Sequence, residues 1–252
     1  MMIGRILGTG SGMPTEGRSH SALWLRIAEH NVLIDCGEGT AQKLLEYDLT
    51  GDLLDTIVIS HFHPDHSAGI FMVLQMFHLQ RRRKPLTLYL PEGIDNFITV
   101  LATFYLFPAR LPFELIIKDV NTIQNDIKEI VPIRNKHLES YREFIEKNSL
   151  HNLMNSYSFF ISTGNKTLLF TSDIESIEHL NDYPDKSSII IVDGLHPPLE
   201  DILYLMKDKQ RKVILIHGES SSLVEILDKK ELNENGVQSE YIIAKDGYQI
   251  NV

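Results

Sequence analysis

The sequence predicts an α/β fold in four layers, αββα: two mixed sheets packed face to face, with helices outside. Three observations carry this. Short apolar runs of strand length, such as 31–35, 56–60, 86–90, 188–192 and 212–216, alternate with helical patterns. Asp or His recurs where most of those runs end. The order strand, Asp, helix, strand, His, helix occurs twice, through Asp35 and His61 and again through Asp173 and His196. That echo suggests two related halves. No Pro-, Gly- or Ser-rich linker parts them, so residues 1–252 are expected to form a single domain.

Taken in order, residues 3–8 read as a strand leading into Gly8-Thr9-Gly10-Ser11-Gly12. No Gly-Lys-Ser/Thr closes that run and no helix follows, so it is neither a Walker loop nor a dinucleotide fingerprint. Its glycines let backbone approach either a ligand or a neighbouring strand. Strands at 22–27 and 31–35 follow, and the second ends in Asp35-Cys36-Gly37-Glu38-Gly39-Thr40 before a helix at 40–47. The strand at 56–60 runs into His61-Phe62-His63-Pro64-Asp65-His66, where Pro64 suits the first position of a helix. Residues 67–80 are apolar all round and predict a buried helix, with His78 a structural histidine. A strand at 86–90, a helix at 93–107, and strands at 113–118 and 123–133 lead to His137. Segment 138–155 is charged and amphipathic. Strands at 157–162 and 166–170 turn at Gly164-Asn165 and run into Asp173, where a helix over 174–180 is the plain alternative to a site. The strand at 188–192 reaches Asp193-Gly194-Leu195-His196-Pro197-Pro198, and a helix spans 199–209. The strand at 212–216 ends at His217, a helix spans 221–230, and strands at 241–244 and 248–252 flank the turn Asp246-Gly247.

Composition removes some functions. No stretch approaches the ~18 consecutive apolar residues of a membrane span. The first residues lack a signal-peptide pattern, and Cys36 is the one cysteine, so a cytoplasmic protein without an internal disulfide is expected. A formal net charge of −10 argues against an indiscriminate nucleic-acid binder. Arg81-Arg82-Arg83-Lys84 is the single basic run, either a patch or a solvated helix end.

The chemistry concentrates at 61–66. His61 and His63 are two apart, so their rings leave an extended segment on one side. Asp65 and His66, in the first helical turn, point back at the same spot. Imidazole and carboxylate together are ligands of zinc, manganese or iron. Asp35, His137, Asp173, His196 and His217 end or follow other strands, where open α/β architectures place sites. One ion takes about three or four protein ligands, so this set exceeds one ion. Two ions about 3.5–4 Å apart use it naturally. Each residue also has a plainer role: a turn former at Asp35, a surface histidine at His137, a helix cap at Asp173, a core histidine at His217, a loop histidine held by prolines at His196.

His-x-His-x-Asp-His followed by a later His, Asp and His resembles the metallo-β-lactamase superfamily. The runs 7–15 and 34–40, with Arg18, resemble its ribonuclease Z-like branch. By that resemblance His61, His63 and His137 would hold one metal, Asp65, His66 and His217 a second, and Asp173 would bridge them. Asp35 would orient a ligand histidine by hydrogen bond. The implied cofactors are two divalent ions, zinc first and manganese second. The implied reaction is attack of a metal-bound hydroxide, oriented by Asp65, on a phosphodiester. The run His196-Pro197-Pro198 is similar to one in the cyclic phosphodiesterase of the carbon–phosphorus lyase pathway, which implies His196 as general acid. The stretch between His137 and Asp173 is too short for the arm by which ribonuclease Z grips tRNA, and its His-Ser/Thr helper motif has no clear match. A dinuclear phosphodiesterase acting on a small phosphodiester or nucleotide-like substrate, rather than on tRNA, is therefore expected, with 138–155 as a lid. A tRNA 3′ processing endonuclease, another ester, thioester or lactone hydrolase, and a non-hydrolytic metal-binding or redox module are the alternatives. A homodimer stays open.

Overall fold

Alternating burial along Met2–Gly8 makes β1, which pairs antiparallel with β2 (Ala22–Ile27); β2 pairs antiparallel with β3 (His30–Ile34). After α1 (Thr40–Glu46), the chain adds β4 (Thr56–Val58) parallel to β3. Two short helices follow, α2 (Pro64–Ser67) and α3 (Ile70–Leu79). β5 (Leu86–Leu90), α4 (Ile94–Thr103) and β6 (Leu115–Asp119) continue the parallel run. The computed structural model describes residues 2–49, 51–164, 166–229 and 239–251. It divides into two compact units, 1–128 with 245–251, and 129–244.

The second unit repeats the plan. β7 (Ile130–Asn135), β8 (Ser156–Thr163) and β9 (Lys166–Phe170) are antiparallel neighbours, with α5 (Arg142–Lys147) between β7 and β8. β10 (Ile189–Gly194), α6 (Leu199–Leu205), β11 (Lys212–Glu219), α7 (Ser221–Lys229) and β12 (Glu240–Ile243) follow, and β9 to β12 are parallel in turn. The chain then returns to the first unit, where β13 (Gln249–Asn251) pairs antiparallel with β1. The sheet orders are β13-β1-β2-β3-β4-β5-β6 and β12-β11-β10-β9-β8-β7. Both sheets are mixed, as expected, and both set antiparallel strands beside a parallel run: β13-β1-β2-β3 in the first and β7-β8-β9 in the second. The twofold echo is therefore real at the level of topology: Asp35 follows β3 and Asp173 follows β9, the strands that join the antiparallel and parallel parts of their sheets. Each unit packs its own apolar core, one around Leu33, Ile57, Phe77 and Leu88, the other around Leu169, Ile190, Val213 and Leu215.

Several elements differ from the expectation. α3 buries Ile70, Val73, Leu74 and Phe77, one stripe at helical spacing, while Met72 and Leu79 face solvent and His78 is exposed. The helix is thus half-buried, because its opposite face meets no second layer within its unit. α4 stops at Thr103, where Tyr105 takes φ +59° and Pro108 follows. Residues 120–125 form a 3-10 turn capped by Asp119, whose carboxylate accepts the Asn121 amide at 2.8 Å, so only 130–135 is strand. Of 138–155, only 142–147 is α-helix, and Tyr141, Phe144, Leu150 and Leu153 are exposed. No helix covers 174–180; a 3-10 turn at Ile177–Leu180 is capped by Ser176 instead. α6 ends at Leu205, ahead of a turn in which Asp208 accepts the Gln210 amide at 2.9 Å. The turn residue Asn165 and positions 230 and 252 lie outside the described residues.

In the basic run Arg81, Arg83 and Lys84 are exposed, and Arg82 is not. Arg82 is buried, and its guanidinium donates to the carbonyls of Lys84, Gly51, Leu54 and Pro85. It ties the end of α3 to the loop before β4. Among the described residues no helix is long and apolar enough to cross a membrane.

Candidate metal centre

In the first unit the donors are assembled by backbone contact. The Cys36 amide donates to the His66 carbonyl (2.8 Å) and the Gly69 amide to the Cys36 carbonyl (2.8 Å). The approach is so close that a Cβ on Gly37 would stand 2.1 Å from the Asp65 carbonyl oxygen, and one on Gly69 2.1 Å from that of Gly37. Only glycine fits at either position. This seats the turn after β3 directly on α2. His63 caps α2 in an extended conformation, Pro64 opens it, and Asp65 and His66 fall in its first turn.

Asp35 then reaches three partners. Its Oδ1 accepts the Ser60 amide (2.8 Å), and its Oδ2 accepts the Ser21 hydroxyl (3.2 Å) and lies 2.7 Å from His66 Nδ1. A carboxylate only accepts, so the Nδ1 proton of His66 points at Asp35 and its Nε2 is left as a lone pair. That is the tautomer a metal requires. Ser60 Oγ lies 3.0 Å from His61 Nδ1 and orients the next ring. The His61 ring sits 4.7 Å from that of His63 and 4.2 Å from that of His66, centroid to centroid. His66 Nε2 is 3.5 Å from Asp65 Oδ2. Burial pushes the Cys36 thiol far above the ordinary range, with the Thr40 hydrogen bond opposing and Asp35 adding, so this residue between Asp35 and Gly37 supplies no thiolate.

In the second unit, His137 follows β7, Asp173 follows β9, His196 follows β10 and His217 lies within β11. His137 Nε2 and His217 Nε2 both face Asp173 Oδ2, at 3.5 Å and 3.2 Å. The His196 ring lies 5.1 Å from that of His137 and 5.3 Å from that of His217. Asn135 ties two of these together, accepting the His137 amide at 3.1 Å and donating to the Asp173 carbonyl at 3.2 Å. Asp193 holds His196: its Oδ1 accepts the amides of Leu195 (2.8 Å) and His196 (3.2 Å), and its Oδ2 lies 2.7 Å from His196 Nδ1. Donor atoms of Asp173, Asp193 and His196 fall within 4.8 Å of one another.

Three residues at or beside these donors have left-handed backbone: Asp35 (φ +62°), Ser172 (φ +52°) and His217 (φ +66°). Each such residue costs of order 1–3 kcal/mol, and such strain gathers where side-chain direction matters. The donor spacing fits a divalent ion. A tetrahedral site with bonds of about 2.0–2.1 Å has ligand–ligand edges of roughly 3.3–3.4 Å. The three imidazole–carboxylate distances, 3.5, 3.5 and 3.2 Å, bracket that edge.

Each expected residue therefore stands with others of its kind: Asp35, His61, His63, Asp65 and His66 in one unit, His137, Asp173, His196 and His217 in the other. Sequence reasoning assigned no role to Asp193, Asn135, Ser21 and Ser60. Asp193 had a signal, an apolar strand ending in Asp three residues before a histidine. The other three had none, because Ser and Asn are common in loops.

A family model described as Anti-Pycsar protein Apyc1 matches residues 2–233. Curated relatives include a Ribonuclease Z of Methanosarcina mazei, 40% identical over 94 residues (37% of this chain, 31% of that protein). A Ribonuclease Z of Agathobacter rectalis is 34% identical over 137 residues (54% and 43%). The chain thus spans less than half the length of these relatives. Among solved structures, the metallo-β-lactamase fold protein YhfI of Bacillus subtilis superposes with TM-score 0.74 at 18% identity, covering 99% of this chain and 98% of that one. A diphosphatase from the PhnP family superposes with TM-score 0.66 at 16% identity, covering 100% and 98%. The fold is that of the metallo-β-lactamases, and the chain belongs to the Anti-Pycsar protein Apyc1 family, in the ribonuclease Z-like branch of that superfamily.

Proposed function

We propose that the chain is a metal-dependent hydrolase of phosphoester bonds, that it holds two divalent ions, and that its substrate is a small phosphodiester. The observation that carries this is the pair of imidazoles, His137 and His217, turned on one oxygen of Asp173 at metal-edge distances. Asp173 would be shared between ions, His61, His63 and His137 would complete one, and Asp65, His66 and His217 the other. Each ion then has about four protein ligands, with zinc or manganese suited to them. On this reading residues 1–252 form one hydrolase domain.

When bound, such ions lower the pKa of water and neutralise charge growing on phosphorus. Asp65 accepts a hydrogen bond from the attacking water and orients it. His196, its Nδ1–H held by Asp193, presents Nε2 to the leaving oxygen and protonates it. Asp35 and Ser60 hold His66 and His61 in the required rotation.

A small substrate is supported by the stretch between β7 and β8, where the helix α5 has six residues and no long arm is present. The net charge of −10 and the likeness to a PhnP-family diphosphatase point the same way. The second reading, a tRNA 3′ endonuclease, is supported by the curated relatives named Ribonuclease Z. A cytoplasmic setting accompanies either, in keeping with one buried thiol.

The test is metal analysis of the purified protein coupled to turnover of bis(p-nitrophenyl) phosphate, cyclic nucleotides, a lactone, a thioester and a pre-tRNA. Turnover of the small phosphodiesters that His63→Ala and Asp65→Ala abolish is expected. Turnover surviving either change sinks the mechanism, and cleavage confined to pre-tRNA selects the second reading.

A further inference from the structure

The glycine-rich loop after β1 is left unexplained by the donor sets, and so is the turn Asp246-Gly247 between β12 and β13. They belong together. Asp246 Oδ1 accepts the Thr9 amide (3.0 Å) and the Thr9 hydroxyl (2.8 Å), and Oδ2 accepts the Ser19 amide (2.7 Å). The Asp246 side chain is 5% exposed, and Lys43 Nζ stands 3.6 Å away to balance its charge. One carboxylate, 237 positions along the chain from Thr9, thus grips both ends of the 9–19 loop. Further bonds close the neck of that loop: the Gly10 amide donates to the Ser19 carbonyl (2.8 Å) and Arg18 Nη1 to the Thr9 carbonyl (3.4 Å).

Beyond the neck the loop reaches Asp65. Gly12 is exposed, yet a Cβ built on it would lie 3.6 Å from Asp65 Oδ2. The loop backbone therefore forms a wall beside the carboxylate that orients the attacking water. A wall with free ends would have to be ordered each time substrate binds, and ordering it in advance removes that cost.

We propose that Asp246 is a positioning residue for substrate: by clamping Thr9 and Ser19 it holds Gly12 against Asp65, and so presets the space into which the phosphodiester fits. This rests on the phosphodiesterase reading above. Asp246 touches no reacting atom; it acts through the loop.

The test is Asp246→Asn in the full chain. An amide has one acceptor oxygen and one donor group, so it cannot accept from Thr9 and Ser19 at the same time. The expected result is a rise in KM for bis(p-nitrophenyl) phosphate of about tenfold with kcat nearly unchanged, because pre-ordered binding is lost and the chemistry is not. Metal content should equal that of the wild type, and amide hydrogen exchange should quicken at 9–19 but not along β2 and β3. Gly12→Ala is the companion variant. Its φ is ordinary and nothing stands closer to the new methyl than 3.6 Å, so it should fold and raise KM as well. Loss of thermal stability in Asp246→Asn with unchanged KM and unchanged exchange at 9–19 would mean a merely structural tie and overturn the proposal. Loss of metal in Asp246→Asn would overturn it too. Wild-type protein inert toward every phosphodiester is a separate outcome: it defeats the functional reading, whereas failure of the clamp leaves wild-type turnover intact and both variants equal to it.

Discussion

His66 Nδ1 and Asp35 Oδ2 lie 2.7 Å apart, with both side chains buried. Asp35 directly follows β3, and His66 lies in the first turn of α2. The contact depends on a left-handed Asp35 and on two glycines that let the backbones touch. Asp35 thereby sets which nitrogen of His66 is free.

Asp35→Asn is expected to keep the fold and lose metal. The amide can present oxygen to His66 or to the Ser60 amide, not to both, so His66 loses its fixed tautomer. Changes of this kind typically cost 10–100-fold in metal affinity or activity. Metal titration with a competing chelator, beside kcat/KM, measures it; wild-type affinity and rate in the variant would refute the role.

Asp193→Asn tests the hold on His196. General acid help matters most when the leaving oxygen is a poor one. The rate should fall by roughly 10²-fold for a methyl phosphodiester and only a few-fold for a p-nitrophenyl one, since p-nitrophenolate departs unaided. His196→Ala should show the same split. Equal losses on both substrates would remove His196 from proton transfer.

Cys36 should be chemically silent in the folded protein. Burial is the largest cause of its raised pKa, so the thiolate is disfavoured across the working pH range. Iodoacetamide at pH 8 should leave it unmodified by mass spectrometry until denaturant is added. Stoichiometric labelling of the native protein would contradict this burial.

The architecture was largely legible in the sequence, because strand-length apolar runs and turn residues are local signals. Most strand positions came within one or two residues. The Asp and His side chains that gather within each unit drew attention in the sequence too, since such residues at the ends of apolar runs have few other reasons to be there. What escaped depends on contacts that the chain does not announce. Arg82 looked like part of a surface run because its four carbonyl partners lie in other segments. α3 looked fully buried because exposed Met72 and Leu79 are indistinguishable by composition from core residues. Asn135 and Ser60 act through hydrogen bonds to a donor or its neighbour, and such residues carry no pattern of their own.

The pairing of β13 with β1 sets an order of events during synthesis. Domains generally begin to fold as they leave the ribosome, N-terminal parts first. Here the first unit has to wait. Its outer strand and the carboxylate that clips the 9–19 loop are translated after all the strands of the second unit. Until those residues arrive, β1 offers an open sheet edge and the loop has no anchor. β1, made first, is the last strand of its sheet to gain both neighbours, so a stall after β12 leaves the first unit, rather than the second, incomplete.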